Sequence, residues 1–268
     1  MEIIESSIIG KKNQEECEDG LVVTDNFIAV IDGSTSKTPR HISPDMRNGR
    51  YAMRLISEYI SSQLPLDASV EDFCRGVTEY IRNKVYEPQG LTEQLFRHPE
   101  ERLTASAIIY SDRRKELWLV GDCQALVDGR LYDNAKPYEL EIARKRVELI
   151  AQGISPAEAR KRIEPILIET MLTGQNKKYA VIDGFPIYEQ GVKTVSLDNT
   201  LPHASDKHEI VLASDGYPFL KQTLADSEEA LSRLIATDPQ CIRYFIATKG
   251  LVGSNKSFDD RTYICFVP

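Results

Sequence analysis

The chain has 268 residues, 41% of them hydrophobic and 28% charged, so it can bury a sizeable core, and its length allows one domain or two. A net charge of −8, with neither Lys nor Arg massed on one segment, excludes a dedicated binder of nucleic acid or anionic membrane. No apolar run approaches the ~20 residues of a membrane span, and Met1-Glu2-Ile3-Ile4-Glu5 is acidic where a signal peptide is basic, so a cytoplasmic protein is expected.

The N-terminal part reads as strands at Ile3 to Ile9, Leu21 to Thr24 and Phe27 to Ile31, with Asp25-Asn26 as a two-residue hairpin signal. Two amphipathic helices follow. Ser43-Pro44 looks like an N-cap with proline at the first helical position, and Ala52, Leu55, Ile56, Tyr59 and Ile60 share one face. Ser69-x-x-Asp72 opens the second, whose stripe is Val70, Phe73, Cys74, Val77 and Ile81.

Short polar connections between Thr104–Tyr110, Glu116–Val120 and Gln124–Val127 suggest an antiparallel meander. A helical stretch over 138–172 is broken near Gly153 and restarted by Ser155-Pro156-Ala157-Glu158. Strand patterns resume at Tyr179–Ile182, Gly191–Ser196 and Ile210–Ala213; helices at Glu228–Ala236 and Ile242–Lys249 precede a last strand at Thr262–Val267. Strands and helices arrive in runs, which argues for an α+β fold with antiparallel sheets covered by helices. No linker is long enough to divide the chain, so a single domain over 1–268 is expected.

Carboxylates recur where these strands begin or end, in Glu18-Asp19-Gly20, Ile31-Asp32-Gly33, Ala213-Ser214-Asp215-Gly216 and Phe258-Asp259-Asp260-Arg261. Hard divalent cations take oxygen ligands, so together these segments point to a metal site assembled from distant parts of a sheet scaffold. Residues from both halves of the chain converge if two antiparallel sheets stack face to face, with the acidic loops at one edge of a central β-sandwich flanked by helices. Five scattered cysteines without C-x-x-C spacing indicate neither a disulfide framework nor a zinc ribbon, and buried thiols are expected. His41, His98, His203 and His208 form no ligand spacing.

In order and local wording these segments resemble the type 2C, metal-dependent protein phosphatase family. Glu18-Asp19 resembles its first acidic pair, Phe27 to Gly33 its strand ending in Asp-Gly, and Leu117-Trp118-Leu119-Val120-Gly121-Asp122 its strand ending in Gly-Asp. Glu209 to Gly216 is the closest match, and Asp259-Asp260-Arg261-Thr262 resembles the closing Asp-Asn-x-Thr. The resemblance implies a four-layer αββα fold and a phosphatase acting on phosphoserine or phosphothreonine in proteins, or on a small phosphoester, by a water activated between two Mn2+ or Mg2+ ions. By it, Asp32 bridges both ions, Asp215 and Asp259 complete one, Glu18 and the Gly33 carbonyl the other. Asp19 holds a metal-bound water, and Asp122 belongs to a further, weaker metal position; a plain hairpin turn is the other reading of Asp122.

The chain departs from the family in two places. Ser34-Thr35-Ser36-Lys37 stands where many members have His or Met and a glycine pair, and Gln14 where several have a phosphate-contacting arginine. Lys11, Lys12 or Lys37 are the candidate replacements for that charge, against solvated lysines. The 138–172 helices read as an insertion or flap near the site, or as ordinary cover for a sheet. Sugar-kinase-like, haloacid-dehalogenase-like and P-loop readings fail, for want of glycine-rich nucleotide motifs, of a second Asp at Ser34, and of a glycine at the required offset before Lys256. The rival class is a catalytically silent binding module on the same fold; five converging carboxylates, which repel one another without a cation, argue against it.

Overall fold

The computed structural model describes residues 1–197 and 208–268. Its strands are β1 (Glu2–Ile9), β2 (Asp19–Val23), β3 (Phe27–Gly33), β4 (Ala105–Ser111), β5 (Glu116–Val120), β6 (Gln124–Val127), β7 (Arg130–Tyr132), β8 (Val192–Ser196), β9 (Ile210–Ala213) and β10 (Arg261–Val267). The helices are α1 (Asn48–Ser62), α2 (Val70–Ile81), α3 (Thr92–Arg97), α4 (Glu139–Ala151), α5 (Pro156–Gly174) and α6 (Leu224–Thr237). Two antiparallel five-stranded sheets form, in the orders β2-β3-β4-β5-β8 and β1-β10-β9-β6-β7.

The side-chain alternation of a strand explains the layering. In β3, Ile28 and Val30 face the other sheet, whereas Phe27, Ala29 and Ile31 pack beneath α1 and α2. In β10, Ile264 and Phe266 meet them across the sandwich, while Tyr263 and Cys265 face outward with Tyr217 and Leu220, on the α6 side. Helices thus cover both outer faces, and both faces of these strands are buried. That is why they read as continuous apolar runs rather than as alternating ones. Trp118 anchors the helical side, its ring 6.0 Å from Phe27 and 6.1 Å from Phe73, in the tilted geometry that adds roughly 1 kcal/mol per aromatic pair beyond burial.

Several local expectations are corrected. Ser43 accepts from Asp45 N in a tight turn and α1 starts only at Asn48, whose side chain accepts from Ile42 N and donates to Arg40 O. The Ser69 capping box forms as expected. β6 does not continue the meander: Gly121, at φ +91°, turns the chain out of the first sheet, and β6 pairs with β7 and β9 in the second. Residues 179–182 contribute two isolated bridges, Tyr179 to Gln175 and Ile182 to Ala105, rather than a strand. Segment 242–249 is not helical, because the Asp238 carboxylate takes the N–H groups of Ile242, Arg243 and Tyr244 and holds the chain in a compact loop. His203 lies outside the described residues.

The α4–α5 pair carries its own small apolar cluster, Ile142, Ile163 and Leu167. It is tied to the body by Arg146, which donates to the carbonyls of Gln240 (2.9 Å) and Ala247 (3.2 Å), and by Arg160, which donates to Thr248 O (2.9 Å). Among the described residues no helix is long and apolar enough to cross a membrane.

Candidate active site

The row of side chains facing the inter-sheet core becomes polar at one end of the sandwich. On β3 the row runs Ile28, Val30, Asp32; on β2 it ends at Asp19, opposite Asp32; on β4 it ends at Ser106, also opposite Asp32. In the second sheet the rows of β9 and β10 end at Ser214 and Thr262, where Thr262 N donates to Ser214 Oγ (2.9 Å). Asp215 follows at once, and Asp259 and Asp260 immediately precede β10. Period two therefore carries residues from both halves of the chain to one mouth.

Behind that mouth Glu18 and Asp19 are 1% and 4% exposed. Gly33 N donates to Glu18 O (3.1 Å), joining the start of β2 to the end of β3. The N-terminal turn of α1 presses on the same spot. A Cβ on Gly33 would lie 2.2 Å from Gly49 O, and one on Gly49 would lie 2.6 Å from Glu18 Oε1 and 2.7 Å from Gly33 O. Both positions require glycine for that approach. Asp260 secures the frame, accepting from Lys11 N (2.7 Å) and Glu18 N (3.2 Å).

In front lies a cavity of about 150 Å³ whose walls include Asp32, Gly33, Asp122, Asp215 and Asp259. Its far side is built by Lys37 and, from the α4–α5 pair and its flanks, Tyr138, Glu139, Arg160, Leu167, Met171 and Gln175. A larger cleft of about 420 Å³ between α2 and segment 186–194 shares no residue with it.

The charges are unevenly compensated. Burial and then Asp215, Asp19 and Asp259 push the Asp32 carboxyl well above its usual range. Asp19 is raised likewise, by burial and by Asp259, Asp260 and Asp215, against the Ser214 hydroxyl. Asp215 is exposed at the mouth; the surrounding protein, with Asp259 and Asp122, pushes its carboxyl up to about 7 against the opposing charge of Lys249. Glu18 is raised by burial, although Thr35 Oγ1 donates to its Oε2 at 2.5 Å.

Other carboxylates have protein cations. Lys11 Nζ stands 2.8 Å from Asp259, 3.1 Å from Asp260 and 3.7 Å from Glu18, and Lys249 also pairs with Asp259. Against the effect of burial, these lysines hold Asp259 well below the carboxylate range. Asp122 accepts from Ser106 Oγ (2.5 Å) and Lys136 Nζ (2.5 Å), and Lys136 keeps it low despite burial. Gln14, at the position of the family arginine, accepts from Gly10 N, and Lys12 pairs with Glu16 at the surface.

Among the described residues no three His, Cys, Asp or Glu side chains already stand as a ready ligand set for one ion. The donor chemistry nevertheless fits. Glu18 Oε1 and Asp19 Oδ2 are buried with no hydrogen-bond partner, an arrangement that costs several kcal/mol per buried charge unless a cation or proton arrives (~3–5 by analogy with broken buried pairs). Neither Asp32 nor Asp215 forms an ion pair among the described residues, and all the donors are hard oxygens.

Thr35, Lys136, Arg160 and Lys249 complete the surroundings of these carboxylates, and no motif in the sequence marks them. Lys249 lies in a segment with a helical pattern, and Arg160 is one basic residue among several on α5. No described histidine lines the cavity.

No family profile and no curated protein sequence matches the chain. Among solved structures it is similar to the PPM Ser-Thr phosphatase MsPP from Mycobacterium smegmatis in complex with cacodylate, with 15% identity, a TM-score of 0.48 and coverage of 100% of this chain and 99% of that one. It is also similar to the serine/threonine phosphatase PstP/Ppp of Mycobacterium tuberculosis (17% identity, 97% and 96% coverage, TM-score 0.42). A third is the serine/threonine phosphatase Stp1 from Staphylococcus aureus (15% identity, 100% and 97% coverage, TM-score 0.44).

Proposed function

We propose that this chain is a cytoplasmic, metal-dependent phosphomonoester hydrolase of the type 2C kind, acting on phosphoserine or phosphothreonine in proteins. It would work as one phosphatase domain with α4–α5 as its flap. The reading rests above all on the converging carboxyls of Glu18, Asp19, Asp32 and Asp215 at the sandwich mouth, of which only Glu18 has a close protein cation among the described residues, Lys11 at 3.7 Å. Two of its buried oxygens have no partner, and neither Asp32 nor Asp215 forms an ion pair among the described residues, although Lys249 acts on Asp215 from further away. Glu18, Asp32, the Gly33 carbonyl, Asp215 and Asp259 would hold two Mn2+ or Mg2+ ions, with Asp122 at a further one. Bound there, such ions supply Lewis acidity to a phosphoryl group and acidify water.

The chain's own residues supply the rest. Thr35 fixes one oxygen of Glu18 and leaves the other free to coordinate. Asp19, opposite Asp32, is placed to accept a proton, because burial keeps its carboxyl basic. Gly33 and Gly49 keep bulk out of the space beside Glu18. Lys11 and Lys249 supply cations to Asp259, which favours a second reading, a silent binding module that needs no metal. That reading leaves Asp19 and Asp32 unexplained, since no lysine among the described residues pairs with them. Hydrolysis of a generic aryl phosphate, with manganese and after exhaustive chelation, separates the two. Manganese-dependent turnover supports the phosphatase; turnover that survives chelation, or none at all, overturns it.

A further inference from the structure

Two cations in the cavity form no close ion pair among the described residues, although Asp259 acts on both, and Glu164 and Glu139 on Arg160, from further away. Among the described residues Lys37 Nζ donates only to Thr35 O (3.0 Å), and Arg160 only through one Nη1 bond to Thr248 O, although a guanidinium offers five N–H groups. Neither forms an ion pair among the described residues, unlike Lys11, Lys136 and Lys249 nearby. Both line the same cavity as Asp32, Asp215 and Asp259. Burial together with the like charges of Lys249 and Arg160 brings the Lys37 ammonium down to about 8, so its charge is poorly served by the protein alone. Two underused cations facing carboxylates across a small cavity make a site for an anion that bridges them.

We propose that Lys37 and Arg160 bind the phosphoryl oxygens of the substrate, so that the loop after β3 and the helix α5 together form the anion-recognition half of the site. The proposal rests on the phosphatase reading for its substrate. The cavity sets a limit on what enters. At about 150 Å³ it is smaller than the roughly 300 Å³ at which drug-sized ligand pockets begin, so a phosphoryl group and its stem fit while the rest of the substrate stays outside. Leu167 and Met171 give that stem an apolar wall. A phosphorylated side chain projecting from a protein has this shape; a phosphometabolite enclosed whole does not. Arg160 reaches the cavity only because α5 is docked, with its Thr248 contact as the latch.

The test uses the full chain with Mn2+, an aryl phosphate, a phosphothreonine peptide and inorganic phosphate as a competing ligand. Lys37→Met and Arg160→Met should each lower kcat/KM by about tenfold, with the loss in KM, and weaken product inhibition by inorganic phosphate to a similar extent. Arg160→Lys should recover part of both. Mn2+ affinity, read by calorimetry, should hold or rise as positive charge is removed. Unchanged KM and phosphate inhibition in an active enzyme would overturn the proposal, and so would a parallel fall in Mn2+ affinity. If the wild type shows no turnover, the phosphatase reading fails separately. Calorimetric binding of inorganic phosphate, lost in both Met variants, would then still support the anion site, and its absence in the wild type would overturn it.

Discussion

Asp19 and Asp32 are directly opposed across the β2–β3 hairpin, at a register position where cross-strand side chains approach to about 5 Å. Two carboxylates so placed repel each other, and their shared burial deepens the conflict. Without a bound cation the pair opposes folding; a cation held at Asp32 would relieve the repulsion. Asp32→Asn should therefore act in opposite senses on stability and activity. In chelator its melting temperature should rise, by the equivalent of roughly 1 kcal/mol, while manganese-dependent hydrolysis should fall more than ~100-fold. Asp122→Asn should cost less activity, because Lys136 and Ser106 already satisfy that carboxylate. Equal activity losses in the two variants would contradict the ranking.

The pH dependence of the chelated protein follows from the same groups. A carboxyl raised in the folded state contributes stability that is full below the unfolded value of ~4 and is lost as pH climbs through the folded value. Asp19, Asp32 and Asp215 are of this kind, Asp215 at about 7. Asp259 and Asp122 are lowered, so their contribution stands above ~4 and disappears as pH falls beneath it. Melting temperature in chelator should thus decline between about pH 5 and about pH 7, and millimolar Mn2+ should remove the decline by binding the ionised carboxylates. A profile flat across that range in chelator, or unmoved by manganese, would tell against the metal site.

Much of this architecture was legible in the sequence because local chemistry and tertiary environment agree. The strands from Phe27 and Ile210 are apolar on both faces, the Ser69 capping box closes within one helical turn, and the Asp-Gly and Ser-Asp-Gly wordings stand at strand ends. What was not legible depended on partners far away in the chain. Ile242 to Lys249 has a helical pattern, yet Asp238 captures its N–H groups first. The transfer of β6 to the second sheet is set by Gly121, packed where a Cβ would lie 2.1 Å from Ser106 Oγ, and not by strand propensity. Lys249 meets Asp259, and Arg160 meets the cavity, only through the folded loop and the docked helix.

The lysines on Asp259 lead to a prediction about competition. Lys249 is 35% exposed, so losing its pair should cost about 1 kcal/mol in chelator rather than the ~3–5 kcal/mol of a fully buried pair. The same ammonium opposes a cation at Asp259. Lys249→Met should therefore bind Mn2+ more tightly, by roughly three- to tenfold in calorimetry, and should regain or exceed wild-type melting temperature once manganese is added. Weaker Mn2+ binding in this variant would mean that Lys249 supports the ion site rather than competing with it.

The helical pair over the site depends on a buried polar knot away from the carboxylates. Asp183 is fully buried and accepts from Arg102 Nη1 (2.9 Å), from Gln175 Nε2 at the end of α5 (2.8 Å) and from Phe185 N (3.0 Å). Its backbone carbonyl accepts from Tyr86 OH (2.9 Å), whose oxygen in turn accepts from Leu103 N just before β4. Arg102 lies 3.8 Å over the Phe185 ring and is only 9% exposed, so the guanidinium has little access to water if its partner goes. Asp183→Ala leaves that charge stranded and should cost about 3–5 kcal/mol, read as a lower urea midpoint at unchanged slope. Asp183→Asn retains oxygen and shape and should cost less than half as much. Because Gln175 ties α5 to this knot, Asp183→Ala should also loosen the helix that carries Arg160. At a temperature where the variant is still folded, its KM for the phosphothreonine peptide should rise while Mn2+ affinity holds. A large stability loss with KM untouched would show that α5 is held in place by its Thr248 contact and its packing on α4, without help from the Asp183 knot.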